Sequence, residues 1–204
     1  MLTRLGLVSA VFIITSVGLA QRDVFEACAP AAAPVVLEGP SDPATLERMR
    51  VLYDEDQTAR MGATIDWEVL NREDTARRVE VMGYLKDGKL TTGAGLYYAA
   101  LIFQHGNCPE HYKLANRLAA RALELDSDAR WLYAATLDRY LLSKGEKQKF
   151  GTQYVVLDDC RYVLEPVDPA TTDAERARYD VPTLASAKAA IAGRNVGGCP
   201  STGD

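Results

Sequence analysis

The chain of 204 residues predicts a mainly α-helical domain, a compact bundle of antiparallel helical hairpins followed by a small C-terminal β-hairpin and short helices. Three observations carry that expectation. Apolar residues recur at i, i+3/i+4 spacing through successive segments between residues 42 and 145. Proline-led starts and glycine stops punctuate those segments. After Gly151 the pattern shifts to that of strands, bounded by turn residues.

The elements follow in order. Asp42-Pro43 combines a capping carboxylate with proline at the first helical position. Leu46, Met49, Tyr53, Asp56 and Arg60 then lie along one helical face, an apolar stripe that runs into charge. A second helix is expected over Asp74–Leu85, with Val79 and Met82 inward, before the turn Lys86-Asp87-Gly88-Lys89. Leu96–His105 forms the third and stops at Gly106-Asn107. Cys108-Pro109-Glu110 opens the fourth, which runs to Leu125. Asp126-Ser127-Asp128 caps the fifth, which ends near Lys144-Gly145. Alanines at 115, 119, 122, 134 and 135 permit close helix approach. Tyr154–Leu157 and Arg161–Leu164 flank Asp158-Asp159-Cys160 as a hairpin, which Pro166 and Pro169 end. Thr172-Asp-Ala-Glu175 reads as a capping box, and Pro182–Ile191 as a last short helix.

The ends of the chain have a different character. Arg4, the uncharged run Leu5–Ala20 and the small residues Gly18 and Ala20 read as a signal peptide over residues 1–20. An apolar run of sixteen residues is short for a membrane span, which needs about twenty. An uncleaved N-terminal anchor is the alternative. The expectation is a periplasmic or secreted protein with no stable membrane insertion after cleavage. Residues 21–41, with their Ala/Pro repeats, read as a disordered linker, 42–192 as a single helical domain, and 193–204 as a disordered tail. The net charge of −5 argues against nucleic acid as a partner. Four cysteines, Cys28, Cys108, Cys160 and Cys199, in an exported chain favour disulfides, with three possible connectivities.

Chemistry concentrates where polar groups fall on apolar faces. Asp138 sits in the middle of the stripe Trp131, Ala134, Ala135, Leu141 and Leu142, and a carboxylate placed there needs partners. Arg60, His105, Gln148 and Gln153 have the matching character, and Asp56 and Arg139 adjoin them in kind. His105 follows Tyr98, Leu101 and Ile102 on one face. One arrangement has Asp138 orienting His105 as an acid–base pair, Arg60 stabilising developing negative charge and Gln153 positioning substrate. Gly151-Thr152 can also be read simply as the turn from helix to hairpin, with glycine at positive φ.

Two resemblances add to this reading. Tyr112–Leu142 resembles one tetratricopeptide repeat, through Ala115 and Ala122, the helix end Ala-Leu-Glu-Leu-Asp126, and Trp131 with Ala134 and Ala135 at the next start. That likeness implies helical-hairpin packing; a solenoid needs about three such repeats. Roughly Leu46–Ala192 resembles a bacterial family of hypothetical exported helical proteins with a domain of unknown function. The likeness lies in Asp56-Gln57-Thr-Ala-Arg60, loosely Asp74 to Arg77, Gln104-His105, Asp138-Arg139 and Gln148-Lys-Phe-Gly151-Thr152-Gln153. It implies a helical fold and brings no activity with it.

Known enzyme signatures are missing from the sequence: no Gly-x-Ser-x-Gly, no His-Glu-x-x-His, no phosphate loop and no Cys-x-x-Cys occurs. No cofactor is indicated, and one interior histidine is thin support for a metal. The leading expectation is a domain that binds a small molecule or an envelope protein through Asp56, Arg60, His105, Asp138, Arg139, Gln148 and Gln153. The alternatives are a hydrolase-like enzyme built on His105 and Asp138, and a structural envelope protein whose polar network specifies the fold.

Overall fold

The computed structural model describes residues 35–61, 65–125, 128–157 and 161–194. Five helices make the bundle: α1 (Pro43–Thr58), α2 (Trp67–Lys86), α3 (Gly93–Gln104), α4 (Pro109–Glu124) and α5 (Arg130–Ser143). A two-stranded antiparallel hairpin follows, β1 (Tyr154–Val156) with β2 (Tyr162–Leu164), paired Tyr154 to Leu164 and Val156 to Tyr162. Two shorter helices close the chain, α6 (Asp173–Arg178) and α7 (Leu184–Arg194). The fold is therefore mainly helical with one small hairpin, as the periodicity predicts.

Capping chemistry sets several starts. Asp42 accepts from the Ala44 amide and the Thr45 hydroxyl ahead of Pro43. Thr172 and Glu175 form the reciprocal capping box of α6. Helix α2 opens earlier than the expected start at Asp74, because Asp66 accepts from the Glu68 and Val69 amides and caps it.

Helix α3 is the hub. It is apolar nearly all round and packs against α1, α2, α4 and α5. Its Leu96, Ala99, Ala100, Ile102 and Phe103 join Met49, Leu52, Val81, Leu85, Leu118 and Leu132 in one core. Burial of this apolar surface is the main stabilising term. Core packing begins before the expected boundary at residue 42. Val35 is buried in the same core, and the Val36 amide donates to the Leu85 carbonyl at 3.0 Å. Two residues expected inward face solvent instead: Val79 is 58% exposed and Trp131 is 48% exposed. The buried face of α2 carries Leu70, Asp74, Arg77, Arg78, Val81 and Leu85.

Among the described residues no helix is long and apolar enough to cross a membrane. The expected signal peptide, most of the linker, residues 195–204 of the expected tail and Cys28, Cys160 and Cys199 lie outside the described residues, while Gly193 and Arg194, expected in the tail, continue α7.

Candidate functional site

The charged end of the α1 stripe meets the end of α3 at one end of the bundle. Asp56 ends the buried face of α1 that begins with Thr45, Met49 and Leu52, and is only 1% exposed. Its carboxylate lies 3.0 Å from His105 Nδ1, so that nitrogen carries the proton and donates. Arg60, one turn later, donates to Asp56 Oδ1 at 2.9 Å and to the Asp56 carbonyl at 2.8 Å. The other arm of Arg60 reaches Asp74 Oδ2 at 2.6 Å. Arg77 donates to Asp74 Oδ1 at 2.9 Å and lies 3.9 Å from Asp56. Two carboxylates and two guanidiniums thus form a closed ring of opposite charges, with the imidazole on its edge.

Burial by itself would push the Asp56 carboxyl up. The bond from His105, the charges of His105 and Arg60 and the Gln57 amide outweigh burial and hold it below its ordinary value. His105 is oriented further by its own backbone, since Arg78 donates to its carbonyl at 2.9 Å. Gly106 then lets α4 turn back tightly: a Cβ there would stand 2.3 Å from the Cβ of His111. The Tyr112 hydroxyl donates to the Gly106 carbonyl at 2.7 Å and fastens α4 beside the imidazole. The His105 side chain is 17% exposed, and Nε2 makes no hydrogen bond among the described residues. An imidazole held on one nitrogen and open on the other is equipped to accept, donate or relay a proton.

Asp138 does something else. It is fully buried, as its place in the α5 stripe predicts, but it does not orient His105. Its oxygens accept from the backbone amides of Lys149, Phe150, Gly151 and Thr152, at 2.7 to 3.0 Å, and from the Thr152 hydroxyl at 2.8 Å. Gly151 has φ +90, which the turn requires and which favours glycine. Gln148 spans the same loop, donating to the Gln153 and Glu165 carbonyls and accepting from the Gln153 amide. The Gln153 side chain donates to the Ala135 carbonyl and the Thr152 hydroxyl. Arg176, which sequence reasoning missed, is buried below the loop and donates to the Phe150 and Thr171 carbonyls. These groups bind the hairpin to α5, and of the Arg176 nitrogens only Nη2 stays buried without a partner among the described residues.

The seven candidate residues therefore divide. Asp56, Arg60 and His105 form one cluster, joined by Asp74 and Arg77. Asp138, Gln148 and Gln153 form another. The expected His105–Asp138 pair is replaced by His105–Asp56, because α5 points Asp138 at the loop after its own helix. Arg139 lies between the two clusters, within electrostatic reach of Arg60, Tyr112 and Tyr154. Its Nε is buried without a hydrogen-bond partner, and no carboxylate among the described residues pairs with it. Burial pushes its guanidinium below the ordinary value.

A separate open groove of about 510 Å³ runs between α1 and α2, over Leu52, Ala59 and Ala76. Its rim charges are already paired: Arg48 holds Glu80 at 2.8 Å and Glu55 at 3.6 Å, and Arg77 lies 3.7 Å from Glu73. No group of three or more His, Cys, Asp or Glu side chains suited to a metal occurs among the described residues. Comparison with protein-family profiles, curated proteins and solved structures returns no match, so the site is read from its own geometry.

Proposed function

We propose that this domain binds a small polar ligand at the end of the bundle where His105 and Arg60 meet at Asp56 and Arg139 lies within electrostatic reach of Arg60. The observation that carries the reading is the imidazole itself. Asp56 clamps Nδ1, the backbone beside it is held by Arg78 and Tyr112, and Nε2 remains open at a half-buried position. A histidine used only to fill space would gain little from so much positioning. The apolar run at residues 5–20 would deliver this binding function to the periplasm or the cell exterior. The resemblance to exported helical proteins of unknown function agrees with that placement.

A second reading has one specific observation in its favour. The Nδ1–carboxylate contact also suits His105 for acid–base catalysis of a hydrolysis, with Asp56 in the orienting role first assigned to Asp138. The satisfied Asp138 cluster supports the third reading, a fold-specifying network, for that half of the residues.

A thermal-shift panel of small carboxylates, phosphates, amines, amino acids and sugars tests the proposal. A ligand at one hundred times its Kd should stabilise by about 2.7 kcal/mol, or about 5–10 °C in Tm. His105→Gln, which keeps a side-chain donor, should abolish the shift. A panel without any response, or one equally strong in the variant, removes the proposal.

A further inference from the structure

We infer that the ligand of this site carries an oxyanion, a carboxylate or a phosphate, and that the guanidinium of Arg139 receives it. The inference rests on the binding role proposed above and adds the chemical class of the ligand. Its basis is a charge balance. Arg60 lies 2.9 Å from Asp56 and 2.6 Å from Asp74, and Arg77 lies 2.9 Å from Asp74, 3.9 Å from Asp56 and 3.7 Å from Glu73. Those carboxylates are already engaged. Arg139 makes no such pair among the described residues, and none of its electrostatic neighbours, Arg60, Tyr112 and Tyr154, offers a negative charge at neutral pH.

The carboxylate next to it in sequence does not help. Asp138 turns both oxygens to four backbone amides and a hydroxyl of the 149–152 loop. An arginine with its Nε shielded from water is costly without a counter-charge. The cost falls when an anion sits beside Arg139, within electrostatic reach of Arg60. A guanidinium offers two parallel N–H donors that fit two oxygens of a carboxylate or phosphate. His105 adds a third donor through Nε2 when protonated. A cationic ligand would instead meet Arg139 and Arg60 together.

The test uses the full chain and follows the Arg139 Nε–H resonance by NMR. Sodium phosphate and sodium acetate are added at matched ionic strength, with choline and glycerol as cationic and neutral probes. Phosphate or acetate should shift that resonance saturably. Arg139→Met should weaken the binding at least tenfold, and Arg139→Lys by less. Response to phosphate alone identifies a phosphate ligand, and response to acetate alone a carboxylate. Saturable binding of choline or glycerol that perturbs His105 and survives Arg139→Met overturns the anion assignment and leaves the binding role standing. An Arg139 resonance unmoved by both anions also overturns it, whether or not the variants fold.

Discussion

The two polar clusters of this bundle are built from the same kinds of residue and have opposite outcomes. Around Asp138 the described donors and acceptors largely meet inside the fold: five donors reach one carboxylate, and Gln148 and Gln153 tie the ends of the same loop. Around His105 the bonding is incomplete. Asp56, Arg60, Asp74 and Arg77 close a ring, yet Nε2 of the imidazole and the guanidinium of Arg139 remain with capacity to bind. Polarity on a buried face therefore does not separate support from function. An uncompensated charge does: Arg176 Nη2 in the Asp138 cluster is also buried without a hydrogen bond, but Asp173 lies 3.0 Å from that guanidinium, whereas no carboxylate among the described residues pairs with Arg139.

That contrast can be broken most forcefully at Asp138. Asp138→Ala leaves four loop amides without their acceptor, and we expect a loss of about 3–5 kcal/mol in urea unfolding. A loss below about 1 kcal/mol would put Asp138 outside the structural class.

Asp56 should show an intermediate effect with a pH signature. Asp56→Asn weakens its bonds to His105 and Arg60, for a cost of about 1–3 kcal/mol at neutral pH. The Asp56 carboxyl is depressed in the folded protein, so its contribution is fully present above the unfolded value of about 4. It is lost as pH falls through the lower folded value. Stability measured against pH should decline in acid for the native chain, and Asp56→Asn should flatten that part of the profile. Equal slopes in the two proteins would mean that Asp56 titrates normally.

The smallest effect is expected at Gly151. Gly151→Ala places a Cβ at φ +90, where the nearest atom is 3.5 Å away, so the cost is backbone strain and not collision. About 1–2 kcal/mol should appear as a lower Tm, without change at the His105 end of the bundle. A perturbed His105 NMR signal in that variant would show that the two clusters are coupled.

Several of these features were legible beforehand for a physical reason. Asp138 was identified as buried because the 3.6-residue period places it between Ala134, Ala135 and Leu142, and period is a local property. The turn at Gly151 was readable from glycine's tolerance of positive φ. Its bond partner was not, because four backbone amides converge on Asp138 without any side-chain signature beyond Thr152. Asp74 and Arg77 share the face of α2 with Val81 and Leu85 at three- and four-residue spacing, a signal that was present. An expected helix that starts at Asp74, with Val79 and Met82 inward, hides that face. Helical spacing to Ala134, Ala135 and Asp138 places Trp131 on the core stripe, yet its position at the start of α5 leaves it on the surface.

The sequence by itself determined the run of helices, the caps at Asp42 and Thr172, the hairpin and the inward place of Asp138, because each depends on propensity and periodicity within a few residues. Only the tertiary structure decided that His105 meets Asp56, that Asp138 meets a loop, and that Arg139 meets neither carboxylate. Those pairings depend on how helices distant in sequence cross, and on ångström-scale hydrogen-bond geometry that a pattern of residue types does not encode.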